Sequence, residues 1–577
     1  MSRRSIAYAD SPLLTQRTPL WRSRFVLAFI AVAFVGLIGR AAYVQVFNND
    51  FIQEQGDLRM QRTIALEPSR GRVIDRNGLI LATSVPAYGL WVDNADPKSA
   101  GWTKVAQLLG RNEKQLRQYI AKRQDKGFTW LTHQLDESQG QAIAKLEIPG
   151  VFLNHEYKRA YPEGEAAAHV VGFTNAENNG QEGVELAFNE QLSGHAGSRR
   201  VIKDRLGHIV EDVRDIVPPV NGRDIQLSID SRVQFFAFDR IKAAVQKHQA
   251  SSGSVVVLDA QSGEILALAN YPSYDPNDRS TLRGPDLRNR VLTDAFEPGS
   301  TVKPLIIGQA LQENLVKAST PFNTAPGYIF IGRSRISDSH AHGVLTVSQI
   351  IEKSSNVGTV KISEKLTAQD MWDVYSQVGI GQRPPLPFPG VTRGALRPYQ
   401  SWRPIEKATM SYGYGLSVSI LQLARAYTVF AGDGHLANIS LLKNDHPTPG
   451  PKVFDATVAA QLRGMLALVT GDEGTAPRAQ TMGYSVGGKT GTAHKLVGGK
   501  YADKKYRGFF VGLAPIDKPR IIVAVLVDEP KGRDYYGGLV AAPVFSETVQ
   551  QTLRILGVPP DMSVKPNIHA KGVEESL

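Results

Sequence analysis

The segment that most limits how this chain can fold is its first apolar run. The 15 residues from Phe25 to Gly39 carry no charge, yet as a helix they reach only ~22 Å, short of the roughly 30 Å hydrocarbon core of a bilayer. Continuing through Arg40 to Phe47 extends the helix to about 34 Å, which suffices to span, with the long Arg40 side chain able to reach the interface. Arg3, Arg4, Arg17, Arg22 and Arg24 precede the run with one acid, Asp10, whereas Asp50, Glu54 and Asp57 follow it. This asymmetry predicts a cytoplasmic tail over residues 1–24, a transmembrane anchor over 25–47 and the rest of the chain on the far side. A cleaved signal peptide is the competing reading, but Arg40 interrupts the place where its small-residue cleavage site should follow.

Beyond the anchor, a chain of 577 residues is too long for one ordinary domain. Its 42% hydrophobic and 21% charged residues supply packed cores and exclude a disordered or collagen-like chain. Cysteine is absent, which removes disulfides, thiolate metal sites, iron–sulfur clusters and a thiol nucleophile. The net charge of +11 suits an anionic partner, and outside the cell that partner is not nucleic acid. Residues 48–220 mix short extended pieces with amphipathic stretches such as Trp102 to Lys122. They end at Val217-Pro218-Pro219-Val220-Asn221-Gly222, whose Pro-Pro and Asn-Gly pairs mark a linker. A strand over Ile225 to Ile229 and a helix over Val233 to Lys247 are expected next. Two hairpins then bracket a helical region, Ser254 to Leu258 with Glu264 to Leu268, and Phe509 to Leu513 with Ile521 to Val527. That order predicts an α+β fold with helices on an antiparallel sheet. The end, from about residue 561, is Pro-, Lys- and Glu-rich and expected to be disordered.

Ser300-Thr301-Val302-Lys303 fits S-x-x-K, as does Ser440-Leu441-Leu442-Lys443, and context separates them. Pro298-Gly299 breaks the chain before Ser300, Pro304 is tolerated only in a first helical turn, and Leu305 to Leu311 continues as an apolar helix. Ser300 is therefore expected at a helix amino terminus, where free N–H groups favour developing negative charge, with Lys303 beside it. Ser354-Ser355-Asn356 and Lys489-Thr490-Gly491-Thr492 follow in order. Together with the Arg70 to Gly78 segment RGRVIDRNG, RAYPEGE (Arg159 to Glu165), FEPGSTVKP (Phe296 to Pro304), KSSN (Lys353 to Asn356), SYGYG (Ser411 to Gly415) and GGKTGTA (Gly487 to Ala493), this set resembles the class B penicillin-binding proteins, and among them the division-specific, FtsI-type peptidoglycan transpeptidases.

The resemblance implies a non-catalytic pedestal over residues 48–220 and a penicillin-binding, serine β-lactamase-like transpeptidase domain over 221–560. It implies that Ser300 is the acylated nucleophile, Lys303 its base, Ser354 a proton relay and Asn356 an anchor for relay and substrate. Lys489 would be the neighbouring cation that keeps Lys303 neutral. Main-chain N–H groups of Ser300 and Thr492 would hold the tetrahedral oxyanion. The substrate would be a peptidoglycan stem ending in D-Ala-D-Ala, its carboxylate meeting Thr490 and Thr492 beside Gly491, with β-lactams as inhibitors and no cofactor. Tyr412, Tyr414, Tyr535 and Tyr536 stand where the family has an aromatic wall, with core packing as the alternative. Partners implied are the membrane, an FtsW-type lipid II polymerase and other division proteins, at the septum of a bacterial inner membrane.

If Lys489 to His494 is extended, Thr490, Thr492 and His494 share one face and Lys489, Gly491 and Ala493 the other. His494 would then join the carboxylate-binding row, where related enzymes commonly carry arginine or lysine, and would add a cation only at acidic pH. His340-Ala341-His342 lacks a third metal ligand at suitable spacing, so no metal is expected. Gly432-Asp433-Gly434 reads as a turn, and Tyr427 and Phe430 as core. No E-x-x-L-N segment between Ser354 and Lys489 supplies the deacylating glutamate of a class A β-lactamase.

Overall fold

The structure is a computed structural model that describes residues 19–47, 61–123, 128–203, 209–498, 500–532 and 534–563. It divides into two compact units, Met1–Glu67 with His195–Val220, and Pro68–Gly194 with Asn221–Leu577.

In the first unit a helix runs over Leu20–Ala42 and continues as a π-helical turn, Tyr43–Phe47. It starts before the expected Phe25 because Leu20 and Trp21 are compatible with helix and Pro19 fixes the entry. None of its residues is buried, and Leu20–Gln45 is long and apolar enough to cross a membrane. Most of the expected tail, residues 1–18, lies outside the described residues. Strand Gly197–Lys203 pairs antiparallel with Gln61–Leu66 on one side and Ile209–Val217 on the other. Residues 48–220, expected as one pedestal, are thus shared between the units, because the strands flanking that region in sequence pair with each other.

The second unit begins with a head built on β1, Ile80–Val92, which pairs antiparallel with β2, Thr129–Asp136, and β3, Val151–Ala160. The stretch from Trp102 to Lys122 forms two helices, Gly101–Leu108 and Glu113–Ala121. They are split at Gly110 (φ 61°) and restarted by Asn112, whose side chain accepts the Gln115 N–H at 3.2 Å. Trp102, Val105, Leu116 and Ile120 bury their faces against Leu90 and Leu131. Arg70 and Arg159 both bind Glu185, each at 2.6 Å, which ties the first quoted segment to the second.

The catalytic half follows. The strand expected over Ile225 to Ile229 is only Ile225–Gln226, because Asp230 turns the chain into a helix by accepting the Arg232 N–H at 3.1 Å. That helix, α1, is Ser231–Lys247. β4, Ser252–Asp259, and β5, Ile265–Tyr271, form the first expected hairpin. The long connection after β5 carries α2, Lys303–Gln312, α3, Asn356–Ser363, and α4, Ala456–Thr470. β6, Gly487–Val497, β7, Lys500–Ala514, and β8, Ile521–Asp528, complete an antiparallel sheet in the order β5-β4-β8-β7-β6. Every residue of β4 and β8 is buried, since helices lie on both sides of the sheet. α1 and α5, Ala542–Ile555, pack together over β4 and β8, while Ile420–Ala426 and α4 contact the sheet as well. Tyr427 and Phe430 are core, as expected. At the carboxyl end Asp561 accepts the Ser485 N–H at 2.8 Å, so the expected tail begins docked; residues 564–577 lie outside the described residues.

Candidate active site

Ser300 lies in a 3-10 turn, Gly299–Val302, that runs into α2. Pro304 explains why this turn is not α-helical: it has no N–H to return to the Ser300 carbonyl, which instead accepts the N–H of Lys303. Gly299 has φ 49°, and its N–H donates to the Gly413 carbonyl at 3.1 Å. A Cβ on Gly413 would stand 2.1 Å from the Gly299 oxygen, so the SYGYG segment supports the nucleophile turn by backbone contact that only glycine permits. From behind, the Tyr427 hydroxyl donates to the Thr301 carbonyl at 2.7 Å. Ser440 is elsewhere: its hydroxyl donates to the Leu442 carbonyl at 2.7 Å in a turn.

Lys303 is fully buried at the start of α2. Its Nζ donates to the Ser354 carbonyl at 2.6 Å, to Asn356 Oδ1 at 2.7 Å and to Ser354 Oγ at 3.3 Å. Burial, then the neighbouring Lys489 charge, push the Lys303 amine well below the ordinary lysine range, against an opposing pull from Asp338. Lys489 is also fully buried, which pushes it down to about 7. Its Nζ reaches Thr490 Oγ1 at 3.4 Å. Two amines thus share one buried site, and burial disfavours the charged form of both.

Ser354 has φ 59°, a left-handed conformation costly for serine. Asp338 supports it from a segment that no sequence spacing marked. Its Oδ2 accepts the Ser355 hydroxyl at 2.7 Å and its Oδ1 accepts the N–H groups of Asn356 and, at 2.9 Å, Val357. Asn356 Nδ2 donates to the Ser337 carbonyl at 2.9 Å. The amino terminus of α3 is thereby capped by a carboxylate.

β6 is the edge strand of the sheet, and burial alternates along it as the extended reading requires. Lys489, Gly491 and Ala493 are buried, Thr490 and Thr492 half-buried and His494 exposed. Ser300, Ser354, Asn356, Thr490 and Thr492 line one cleft of about 600 Å³. Thr490 Oγ1 is 3.0 Å from Thr475 Oγ1, and Thr492 Oγ1 accepts the Gly537 N–H at 3.1 Å. The arrangement can deprotonate a serine, shuttle its proton and hold a carboxylate beside a buried cation.

Comparison with known proteins agrees with this geometry. Residues 253–550 match the penicillin binding protein transpeptidase domain, and residues 65–227 the penicillin-binding protein dimerisation domain. The chain belongs to the penicillin-binding transpeptidase family. It is 43% identical to the "Probable peptidoglycan D,D-transpeptidase PenA" of Neisseria meningitidis serogroup A over 93% of each chain. It is 37% identical to the peptidoglycan D,D-transpeptidase FtsI of Escherichia coli K12 over 94% of this chain and 93% of that one. Among solved structures it resembles the transpeptidase domain of penicillin-binding protein 3 from Burkholderia pseudomallei. That match has 48% identity and a TM-score of 0.54, and covers 58% of this chain and 98% of that one.

Against the expectations for a penicillin-binding transpeptidase, some residues stand apart. Gly491 is required by packing, since a Cβ there would lie 1.9 Å from the Phe509 ring. Of the four tyrosines only Tyr536 lines the cleft. Tyr412 belongs to a small core cluster with Ile336, Val360 and Ala408, where burial pushes its hydroxyl up to about 12. The four are nonetheless joined in one row of rings: Tyr536 stacks on Tyr535 at 4.4 Å and Tyr535 on Tyr506 at 4.1 Å. Tyr506 meets His494 at 4.8 Å, His494 meets Tyr501 and Tyr501 meets Tyr414 at 6.2 Å each, and Tyr414 meets Tyr412 at 5.6 Å. His494 shares the face of Thr490 and Thr492 but is not among the cleft-lining residues. Glu297 stands in the FEPGSTVKP segment, which assigns it no role: it accepts the Gly415 N–H at 2.8 Å and the Tyr501 hydroxyl at 3.1 Å. His340 and His342 line the cleft with Lys353 and Glu473; among the described residues no group of three or more potential ligands could hold a metal.

Proposed function

We propose that this chain cross-links peptidoglycan stems through an acyl-enzyme on Ser300, as a D,D-transpeptidase of the bacterial division septum. The observation that carries the assignment is the buried Lys303 amine, held on Ser354 and Asn356 and disfavoured as a cation. Neutral Lys303 takes the Ser300 proton as the hydroxyl oxygen attacks the carbonyl of the penultimate D-alanine. Main-chain N–H groups at Ser300 and Thr492 stabilise the tetrahedral oxyanion, and the terminal carboxylate lies against Thr490 and Thr492 under the Lys489 charge. Ser354 passes the proton to the leaving amine, and free D-alanine departs. An amine of a second stem then attacks the Ser300 ester, which restores the hydroxyl and leaves the new amide. A β-lactam enters the same sequence at its strained amide and stops at the ester.

The helix Leu20–Ala42 anchors the chain in the inner membrane with its amino terminus in the cytoplasm and the catalytic half in the periplasm, as the arginine asymmetry supports. The pedestal and anchor meet an FtsW-type polymerase and other division proteins. A fluorescent penicillin tests the chemistry: label should reside on Ser300, vanish in Ser300→Ala, persist in Ser440→Ala and be released slowly. An adduct mapped to another residue would overturn the assignment, and rapid release would indicate a hydrolase.

A further inference from the structure

We propose that the head carries a binding site for a small oxyanion, a phosphate or carboxylate group, between β2, β3 and the Pro276–Arg279 loop. A cavity of about 290 Å³ lies there, and Lys158, Arg159 and Arg279 line it together with His133 and no acidic residue. The electrostatics beneath it are unbalanced. Arg159 and Arg70, 5% and 4% exposed, share the single carboxylate of Glu185, itself 0% exposed. Their remaining donors go to neutral acceptors: Arg70 to Asn178 O, Asn189 Oδ1, Ser193 Oγ and Glu185 O, and Arg159 to Gly71 O, Arg70 O and Ser84 Oγ. Hydrogen bonding is satisfied, but the two guanidinia contact one carboxylate between them, and the more distant Asp224 is exposed and paired with Arg72. Two buried guanidinia on one carboxylate are under-compensated, and their field extends into the adjacent recess.

The rim adds to that field. Arg279 Nη2 makes only long contacts, to Gln134 Oε1 at 3.3 Å and the Thr174 carbonyl at 3.5 Å, and among the described residues it has no carboxylate partner. Lys158 pairs with Asp136 at 2.8 Å, but that pair is open to water, its side chains 39% and 60% exposed, and can exchange partner. Of the carboxylates near the cavity, Glu156 is held by His133 Nδ1 at 2.9 Å and the Gln134 N–H at 3.0 Å, Asp275 accepts the Asn277 N–H at 2.9 Å and Asp278 the Ser280 N–H at 2.9 Å. An incoming oxyanion would find a guanidinium fork on Arg279, a point charge on Lys158 and the under-compensated charge of Arg159 below. The cavity has room for a diphosphate or for the acidic end of a longer molecule.

The test is calorimetric titration of the full chain in detergent with pyrophosphate and, separately, with succinate. Pyrophosphate binding at millimolar concentration, weakened at least about tenfold by Arg279→Gln and by Lys158→Gln, is the expected result. Both variants should retain wild-type penicillin acylation at Ser300, which shows that they fold. Binding of succinate alone, with the same loss in both variants, would also support the site and name a carboxylate as its ligand. Absence of binding by either probe, or binding that both variants leave unchanged, would overturn the proposal.

Discussion

The cleft and the head each bury two cations side by side, and they resolve the conflict in opposite ways. In the cleft, among the described residues, Lys303 and Lys489 form no ion pair with a carboxylate; burial moves both amines toward neutrality, and the Lys489 charge adds to the effect on Lys303. In the head Arg70 and Arg159 close on Glu185. A guanidinium holds its proton in proteins and must be paired, whereas an ammonium can give its proton up. The first solution makes a base and the second a permanent charge. Residue type, not burial alone, decides which a buried cation becomes.

The comparison breaks most visibly if Lys303 is made permanent. Lys303→Arg installs a permanent cation, keeps hydrogen-bond donors for Ser354 and Asn356 and removes the proton acceptor. Acylation by penicillin should fall by about 10²–10⁴-fold, the range for loss of a positioned general base, and the melting temperature should fall too, because the buried guanidinium finds no carboxylate there. A folded variant that acylates within about tenfold of wild type would show that Lys303 is not the base.

The converse change removes the shared carboxylate in the head. Glu185→Gln leaves two buried guanidinia unpaired, and breaking such a pair costs about 3–5 kcal/mol. Chemical denaturation should show a loss of that order, while the folded fraction should still acylate at Ser300. Unchanged stability would mean that the carbonyl acceptors around Arg70 and Arg159 compensate by themselves.

The two regions also differ in how much of them the sequence discloses. Ser300, Lys303, Ser354, Asn356 and Lys489 stand in short motifs whose residue types announce their chemistry, and the fold brings these five together. Both hairpins were readable, because β4 and β8 are continuous apolar runs bounded by turn residues. Asp338 was not, since its contacts with Ser355 and Asn356 join segments that only the fold brings together. The Arg70–Glu185 pair spans 115 residues, and no local pattern encodes such a contact. Tyr412 shows the limit from the other side: a tyrosine at an expected wall position reads the same whether its ring faces a cleft or, as here, a cluster around Val360.

Asp338 offers a way to tune the cleft without touching its amines. Its negative charge favours the protonated form of Lys303, so Asp338→Asn should lower the Lys303 pKa further. The acid limb of the acylation profile should therefore move to lower pH, since free base persists to more acidic conditions. The maximal rate should drop about tenfold as the cap on Ser355 and Asn356 weakens, a loss near 1.4 kcal/mol. A purely structural role would lower the rate with no displacement of the limb, and pH-rate profiles of both proteins separate the two.

The smallest effect concerns His494, on the same face of β6 as Thr490 and Thr492 yet exposed beside Tyr506. Two residues along a strand span about 6.6 Å, so a cation at His494 stands roughly 7 Å from a carboxylate held at Thr492. In water that separation is worth about 0.6 kcal/mol, near threefold in rate, before salt reduces it. His494→Arg places a permanent cation at this position. His494→Arg should therefore raise acylation by carboxylate-bearing β-lactams over wild type at the same pH by less than about threefold, a gain that added salt reduces. Both proteins share the titration of Lys303 and Lys489, so the ratio of their rates removes it. A gain of about tenfold or more would require the side chain at this position to turn from Tyr506 into the cleft and meet the substrate directly, with its charge shielded from water.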